Sequence, residues 1–427
     1  MGPHRPLTSL RLAGNRPGRV PGIWFIVSVF AILAILFGLA WWNTRGPGGE
    51  RTTEARLSLG EILGGEDTAG YARAVEPRTF EFPRDHGAHP DFRNEWWYLT
   101  GNLETADGDR FGYQLTIFRN ALAPSMPERS SDWATRQAYM AHFALTDVSG
   151  RRFAAFERFS RDAIGLAGAD TTPFRVWIED WSIASDGATP GANAASAGAI
   201  FPLRVMAHKD DIAIDLVLQS GKPLVLNGER GLSRKGAQPG NASYYLSFSR
   251  LPTHGTVRTR DGVSREITGN SWFDREWSTS ALPAGVDGWD WFALQFTDST
   301  ELMFYRLRRT DGSTDVFSAG TWIAADGTTA PLASTDVAID GLDRWTSPID
   351  GAVYPARWRL RSSALRLDLE VNPVLADQEL DLNVRYWEGA VDARGTRNGN
   401  PVAARGYVEL TGYAREPGAG SGLRPAR

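Results

Sequence analysis

Large apolar residues alternate with small or polar ones along Trp97-Tyr98-Leu99-Thr100-Gly101-Asn102-Leu103, and the alternation resumes from Phe111 to Arg119 after Ala106-Asp107-Gly108-Asp109. A period of two marks a strand, and two such runs joined by a Gly/Asp turn predict a β-hairpin. A similar unit recurs roughly 190 residues later. Trp289-Asp290-Trp291-Phe292-Ala293-Leu294-Gln295-Phe296 leads through Asp298-Ser299-Thr300 into Leu302-Met303-Phe304-Tyr305-Arg306-Leu307-Arg308. Each copy opens on Trp and a second aromatic and returns on a strand ending in an aromatic and Arg. With 427 residues the chain exceeds what one core needs. The repeat predicts two related all-β domains, residues 76–255 and 256–414, divided somewhere around Leu251 to Gly262.

Before this body the pattern is different. Ile23 to Trp42 is a run of twenty residues without a charge, with Ser28 its one clearly polar member. As a helix it would span about 30 Å, one bilayer core. Arg5, Arg11, Arg16 and Arg19 precede it with no acidic residue among them, whereas Glu50 and Glu54 follow it mixed with Arg45, Arg51 and Arg56. This asymmetry predicts a basic cytoplasmic segment (1–21), a single-pass inner-membrane anchor (22–42) and an extracytoplasmic or periplasmic remainder. A cleaved signal peptide ending at Gly38-Leu39-Ala40 is the rival, disfavoured by the length of the run and by Trp41 and Trp42 directly behind it. Residues 43–75 read as a linker, Ala184 to Ala199 as an Ala/Gly/Ser-rich surface loop, and 415–427 as a disordered Gly/Pro/Arg tail. Outside the anchor no stretch keeps a helical period.

Composition narrows the chemistry. A net charge of −4 with 22% charged residues gives no electrostatic reason to expect nucleic acid. Sixteen Trp, twenty Phe and eleven Tyr beside 45 Gly and 24 Pro suit strands and turns. The absence of cysteine excludes disulfides, thiolate metal sites, a Cys nucleophile and a lipid-modified N-terminal Cys. There is no Gly-Lys phosphate loop, no His-Glu-x-x-His pair and no Gly-x-Ser-x-Gly elbow, so no cofactor is indicated.

Three clusters could carry chemistry. Asp85-His86-Gly87-Ala88-His89-Pro90-Asp91 holds four potential metal ligands, but Gly87 and Pro90 make it a loop, read as capping the first strand, and no metal site is assigned. In Asn94-Glu95-Trp96-Trp97-Tyr98 a strand would turn Glu95 and Trp97 one way and Trp96 and Tyr98 the other. Either Glu95 sits in an apolar cavity, or it pairs with an Arg such as Arg119 to close a barrel end. In Gly269-Asn270-Ser271-Trp272-Phe273-Asp274-Arg275-Glu276-Trp277, two carboxylates and two indoles lie close together. Adding water to an unactivated C=C bond needs an acid to protonate the alkene and an aromatic face to shelter the cation, and Asp274 could supply the proton. An ion-pair turn of Asp274, Arg275 and Glu276 is the structural alternative. His142, on an alternating strand with Met140 and Ala144, is either a core histidine or a base.

These and further stretches resemble the AttH-like secreted proteins, whose relatives include the CrtC carotenoid 1,2-hydratases. They are Phe82-Pro83-Arg84-Asp85-His86-Gly87-Ala88-His89-Pro90, Glu95-Trp96-Trp97-Tyr98, Phe111-Gly112-Tyr113-Gln114-Leu115-Thr116 and Ala141-His142-Phe143. Gly231-Leu232-Ser233, Asn241-Ala242-Ser243-Tyr244-Tyr245, Trp272-Phe273-Asp274-Arg275-Glu276-Trp277 and Gly288-Trp289-Asp290-Trp291-Phe292 follow in order. Tyr386-Trp387-Glu388-Gly389 and Gly406-Tyr407-Val408-Glu409-Leu410-Thr411-Gly412-Tyr413 complete them, covering about residues 80 to 414. The resemblance implies two lipocalin-like (calycin) β-barrels, export, and association with an ABC-exporter-type system such as a transporter permease. It places the hydratase acid at Asp274, with Trp272 standing where the hydratases have Tyr. Their His-x-Trp pair falls at Tyr245-Leu246-Ser247, where neither residue is kept.

The expected function is therefore to bind an apolar or lipid-like ligand, and the alternative is a hydratase or lyase acting on a carotenoid-like C=C bond. The alternative assigns catalysis to Asp274, Trp272 and Glu276. In either case Glu95, Trp97, Tyr98, Tyr113, His142, Tyr245, Trp277, Trp289 and Trp291 are expected to line a hollow inside the barrels.

Overall fold

A computed structural model describes residues 68–126, 130–187, 197–280 and 282–413. The expected anchor, the linker up to 67, residues 188–196 of the Ala/Gly-rich loop and the tail lie outside the described residues. Residues 68–75, expected in the linker, pack on the body instead: Tyr71 donates its hydroxyl to the Ala121 carbonyl at 3.0 Å, and Ala74 is buried. Among the described residues no helix is long and apolar enough to cross a membrane.

The first sheet is built from β1 (Asn94–Glu104), β2 (Arg110–Ala121), β3 (Gln137–Asp147), β4 (Arg152–Arg161), β5 (Ala167–Thr171), β6 (Phe174–Ile178) and β7 (Trp181–Ser185). It continues with β8 (Leu203–Lys209), β9 (Ile212–Leu218), β10 (Val225–Leu226), β11 (Leu232–Arg234), β12 (Ala242–Arg258) and β13 (Ser264–Ser278). The second contains β14 (Val286–Phe296), β15 (Glu301–Arg309), β16 (Ala319–Ile323), β17 (Thr329–Ala333) and β18 (Ala338–Thr346). Its remaining strands are β19 (Val353–Ser362), β20 (Leu367–Pro373), β21 (Glu379–Leu380), β22 (Tyr386–Arg397) and β23 (Asn400–Leu410).

The strand order is β4-β3-β2-β1-β13-β12-β9-β8-β7-β6-β5 in the first sheet, with β10 and β11 also on β12. In the second it is β17-β16-β15-β14-β23-β22-β20-β19-β18, with β21 on β22. One sheet curls into a nearly closed barrel and the other into a half-barrel, which gives the two lipocalin-like domains. The expected hairpins are β1–β2 and β14–β15. The two sheets part between Ser278 and Val286, not at 255/256. The expected division falls in the β12–β13 hairpin, whose Thr259–Gly262 turn looks, in sequence, like a linker.

Alternation decides which residues fill each barrel. From β1, Trp97, Leu99 and Leu103 point inward and pack with Leu115, Ile117, Phe143, Trp181, Leu216 and Phe273. In the second barrel Phe292, Leu294, Phe304, Trp358, Trp387 and Val408 do the same. The opposite faces of these strands are buried too, because the barrels press together there. Tyr98, Tyr245 and Trp272 of the first meet Trp291, Ala293, Met303, Tyr305, Ala390 and Tyr407 of the second. Around this contact, Asn102 donates to the Gly406 carbonyl at 3.1 Å, and Arg110 forks onto Asp392 at 2.7 and 2.9 Å.

Candidate active site between the barrels

A cavity lies between the two outer faces. Its volume is about 80 Å³. Trp96, Tyr98 and Phe118 from β1 and β2, Trp289 and Trp291 from β14, Tyr305 and Leu307 from β15, and Leu282 supply its apolar walls. Lys235, Tyr245, Asp274, Glu276 and Glu409 supply its polar groups. The rings meet edge to face: Tyr98 and Trp291 are 5.2 Å apart at 79°, and Trp272 and Trp291 are 6.4 Å apart at 82°.

Asp274 has three side-chain donors around it. Ser247 Oγ at 2.5 Å and Trp272 Nε1 at 2.6 Å donate to Oδ1, and the Tyr245 hydroxyl donates to Oδ2 at 2.6 Å. The position follows from pairing, since β13 sets Asp274 opposite Ser247 on one side and Tyr98 on the other. Trp291 Nε1 in turn donates to the Tyr245 hydroxyl at 3.0 Å. Burial penalises the carboxylate more than the donors favour it and, with nearby Glu276, pushes the Asp274 carboxyl up to about 7. It is therefore an acid that holds its proton near neutrality.

The cavity has one ammonium for three carboxyls. Lys235 Nζ lies 3.5 Å from Glu276 and 3.6 Å from the centre of the Tyr305 ring, and Ser243 also donates to Glu276. Glu409 accepts from Trp289 Nε1 at 2.6 Å, and burial, with Glu276 and Asp274 close by, raises its carboxyl. In a desolvated space unpaired charge is expensive, so Asp274, with no cation beside it, is held as the neutral acid.

The residues expected from sequence separate into groups. Asp274, Glu276, Tyr98, Tyr245, Trp289 and Trp291 come together in the cavity, and Trp272 stands behind Asp274 as its donor. Glu95, Trp97, Tyr113 and Trp277 do not reach it. Trp97 and Tyr113 are fully buried in the core of the first barrel, with the Tyr113 hydroxyl 2.7 Å from Ser271 Oγ. The expected hollow inside that barrel is occupied by such rings. Glu95 closes the barrel end, bonded to Arg119 Nε at 2.9 Å, Arg275 Nη2 at 2.7 Å and His89 Nδ1 at 2.7 Å. Burial opposes its charge, but His89, Arg275 and Arg119 overcome that and hold the carboxyl far below its usual range. Trp277 stacks on His89 at 3.8 Å, and His89 also reaches Asp85 at 3.2 Å, so the Asp/His loop serves as this cap.

His142 lies in the interface beside the cavity, its Nδ1 2.8 Å from the Tyr386 hydroxyl, and burial drives its pKa down to about 3. Lys235, Phe118, Tyr305 and Glu409 were not among the expected site residues. Their one signal was alternation, which put Glu409 and Tyr305 on the face opposite the barrel core without showing what covers it.

The model of the AttH-like family matches residues 73–413. A crystal structure described as AttH from Nitrosomonas europaea is 35% identical, covers 80% of this chain and 100% of its own, and superposes with a TM-score of 0.69. Kievitone hydratase of Fusarium solani subsp. phaseoli is 24% identical over 231 residues, 52% of this chain and 63% of the hydratase, so the match spans less than two thirds of that relative. The crystal structure of kievitone hydratase from Nectria haematococca shares the fold, with 16% identity, 81% and 98% coverage and a TM-score of 0.57. The chain thus belongs to the AttH-like family, which is related to kievitone hydratase.

Proposed function

We propose that this protein is a hydratase that adds water to a C=C bond of an apolar, isoprenoid-like ligand held between the barrels, with Asp274 as the acid. The observation that carries the reading is a buried carboxyl, protonated near neutrality, at the wall of an aromatic cavity. An acid of that strength can protonate only an alkene whose cation is well stabilised, which favours a branched double bond giving a tertiary carbocation. The indoles of Trp291 and Trp96 in the cavity wall are the aromatic groups available to shelter such a cation. The Asp274 O–H bond breaks as a C–H bond forms. Water then bonds to the cationic carbon and loses a proton to a carboxylate of the cavity. The relationship to kievitone hydratase supports the same class.

The test is turnover of branched acyclic polyenes and prenylated phenols by the full chain in D2O. The expected product gains one water and carries deuterium on the carbon beside the new alcohol. Asp274→Asn should lower turnover at least about 100-fold while ligand retention persists. Retention with no turnover by either protein would instead favour a carrier, the reading to which the unkept His-x-Trp pair at Tyr245-Leu246-Ser247 points.

We also propose that residues 22–42 tether the barrels to the outer side of the inner membrane, where an ABC-exporter-type permease could hand over the ligand. Carbonate-resistant membrane association, lost on deleting residues 1–42, is the expected outcome. Unaltered sedimentation of the deletion would sink the tether.

A further inference from the structure

The reaction proposed above leaves open which group receives the proton of the attacking water. Glu388 on β22 stands directly opposite Glu409 on β23. Opposed residues of an antiparallel pair share a face with Cβ atoms about 5 Å apart, within reach of each other's carboxyls. That face is the one turned to the first barrel, since Trp387, Val408 and Leu410 on either side pack inside the second. Glu409 borders the cavity and is held by Trp289. Glu388 is 1% exposed, and its Oε1 accepts from the hydroxyl of Tyr98, a wall of the cavity, at 2.5 Å.

The groups around the pair contribute no positive charge to it. Tyr98 and Tyr386 are neutral phenols whose pKa burial and Glu388 raise well above the ordinary value. His142 is neutral, Asp274 and Glu276 are acidic, and Lys235 is engaged with Glu276 and Tyr305. Among the described residues neither glutamate forms an ion pair. Two opposed carboxyls without a cation do not both ionise, and burial raises both, with the neighbouring Glu409 raising Glu388 further.

We propose that Glu409 is the base that takes the proton of the attacking water, and that Glu388 is its positioning partner in a proton-sharing pair. This rests on Asp274 as the acid. Before reaction the pair holds one proton and Asp274 another. Asp274 gives its proton to carbon, the water O–C bond forms, and an O–H bond of that water breaks with its proton passing to Glu409. The pair, now doubly protonated, returns one proton through solvent to Asp274, and atoms and charge balance.

Infrared titration of the full chain, following the protonated-carboxyl C=O stretch, reads the pair without any ligand. The wild type should show an upper step belonging to the pair. Glu409→Gln and Glu388→Gln should each abolish that step, leaving the surviving glutamate to titrate at lower pH. With the alkene that the wild type hydrates, Glu409→Gln should lose turnover at least about 100-fold. Glu388→Gln, which keeps an acceptor for Tyr98, should lose less than about tenfold. Persistence of the upper step in both variants, or full turnover by Glu409→Gln, overturns the proposal. If a Gln variant fails to fold by circular dichroism, Trp289→Phe replaces it. That variant removes a donor to Glu409 and should raise the lower step, and no shift would count against the pair. Full turnover by Asp274→Asn would remove the hydratase reading itself, and the infrared result would still decide whether the carboxyls share a proton.

Discussion

At the scale of the residue, the chemistry of Asp274 depends on a contest between burial and three donors. Each donor stabilises the charged form, so removing one leaves the neutral acid favoured to higher pH. Tyr245→Phe deletes the donor to Oδ2 and leaves Ser247 and Trp272 in place. If Asp274 must be protonated to act, activity falls as pH rises through about 7, and in Tyr245→Phe that limb should move up by about one unit, the equivalent of a charge-assisted hydrogen bond of about 1.5 kcal/mol. A kcat/KM profile against pH checks it, and a limb that stays put or moves down would detach the profile from Asp274. The sequence could show that Asp274 lies between indoles but not that Ser247 and Tyr245 face it. That depends on a strand register 27 residues away, which no local pattern encodes.

At the scale of the element, β1 shows how far a pattern can be read. Its hairpin with β2 and its alternation were legible because turn chemistry and period two are local signals. The choice of face was not, because both faces of β1 are buried and apolar-aromatic, one in the barrel and one against the other barrel. Period two distinguishes the faces without ranking them when neither meets water. Glu95 settles the matter by its partners. Its pairing with Arg119, one of two readings open in the sequence, is present, and Arg275 and His89 add to it. Arg119 and Arg275 are at most 1% exposed, so Glu95→Ala would strand two buried guanidinium groups. The expected loss is about 3–5 kcal/mol in chemical denaturation. A loss under about 1 kcal/mol would mean that water reaches the barrel end.

At the scale of the whole molecule, the repeat and the two-barrel architecture were legible, but the place of the site was not. An intramolecular interface leaves no periodic trace, and the expectation of a hollow inside each barrel followed from treating the barrels separately. Joined, they bury a polar latch between the two domains. Glu301 on β15 is fully buried and accepts from Lys222 Nζ at 2.6 Å and Arg250 Nε at 2.5 Å, both from the first domain, while Lys222 also donates to the carbonyls of Ser299 and Ala324. Glu301→Gln would leave the Lys222 ammonium buried without a counter-charge, at a cost of about 3 kcal/mol or more. Because the cavity walls come from both domains, that cost should fall on docking before it falls on either barrel. Calorimetry of the wild type should show one transition that bound ligand raises, and Glu301→Gln should show two, with ligand shifting only the first. A variant that keeps one transition and undiminished ligand stabilisation would mean that the aromatic face holds the barrels together unaided.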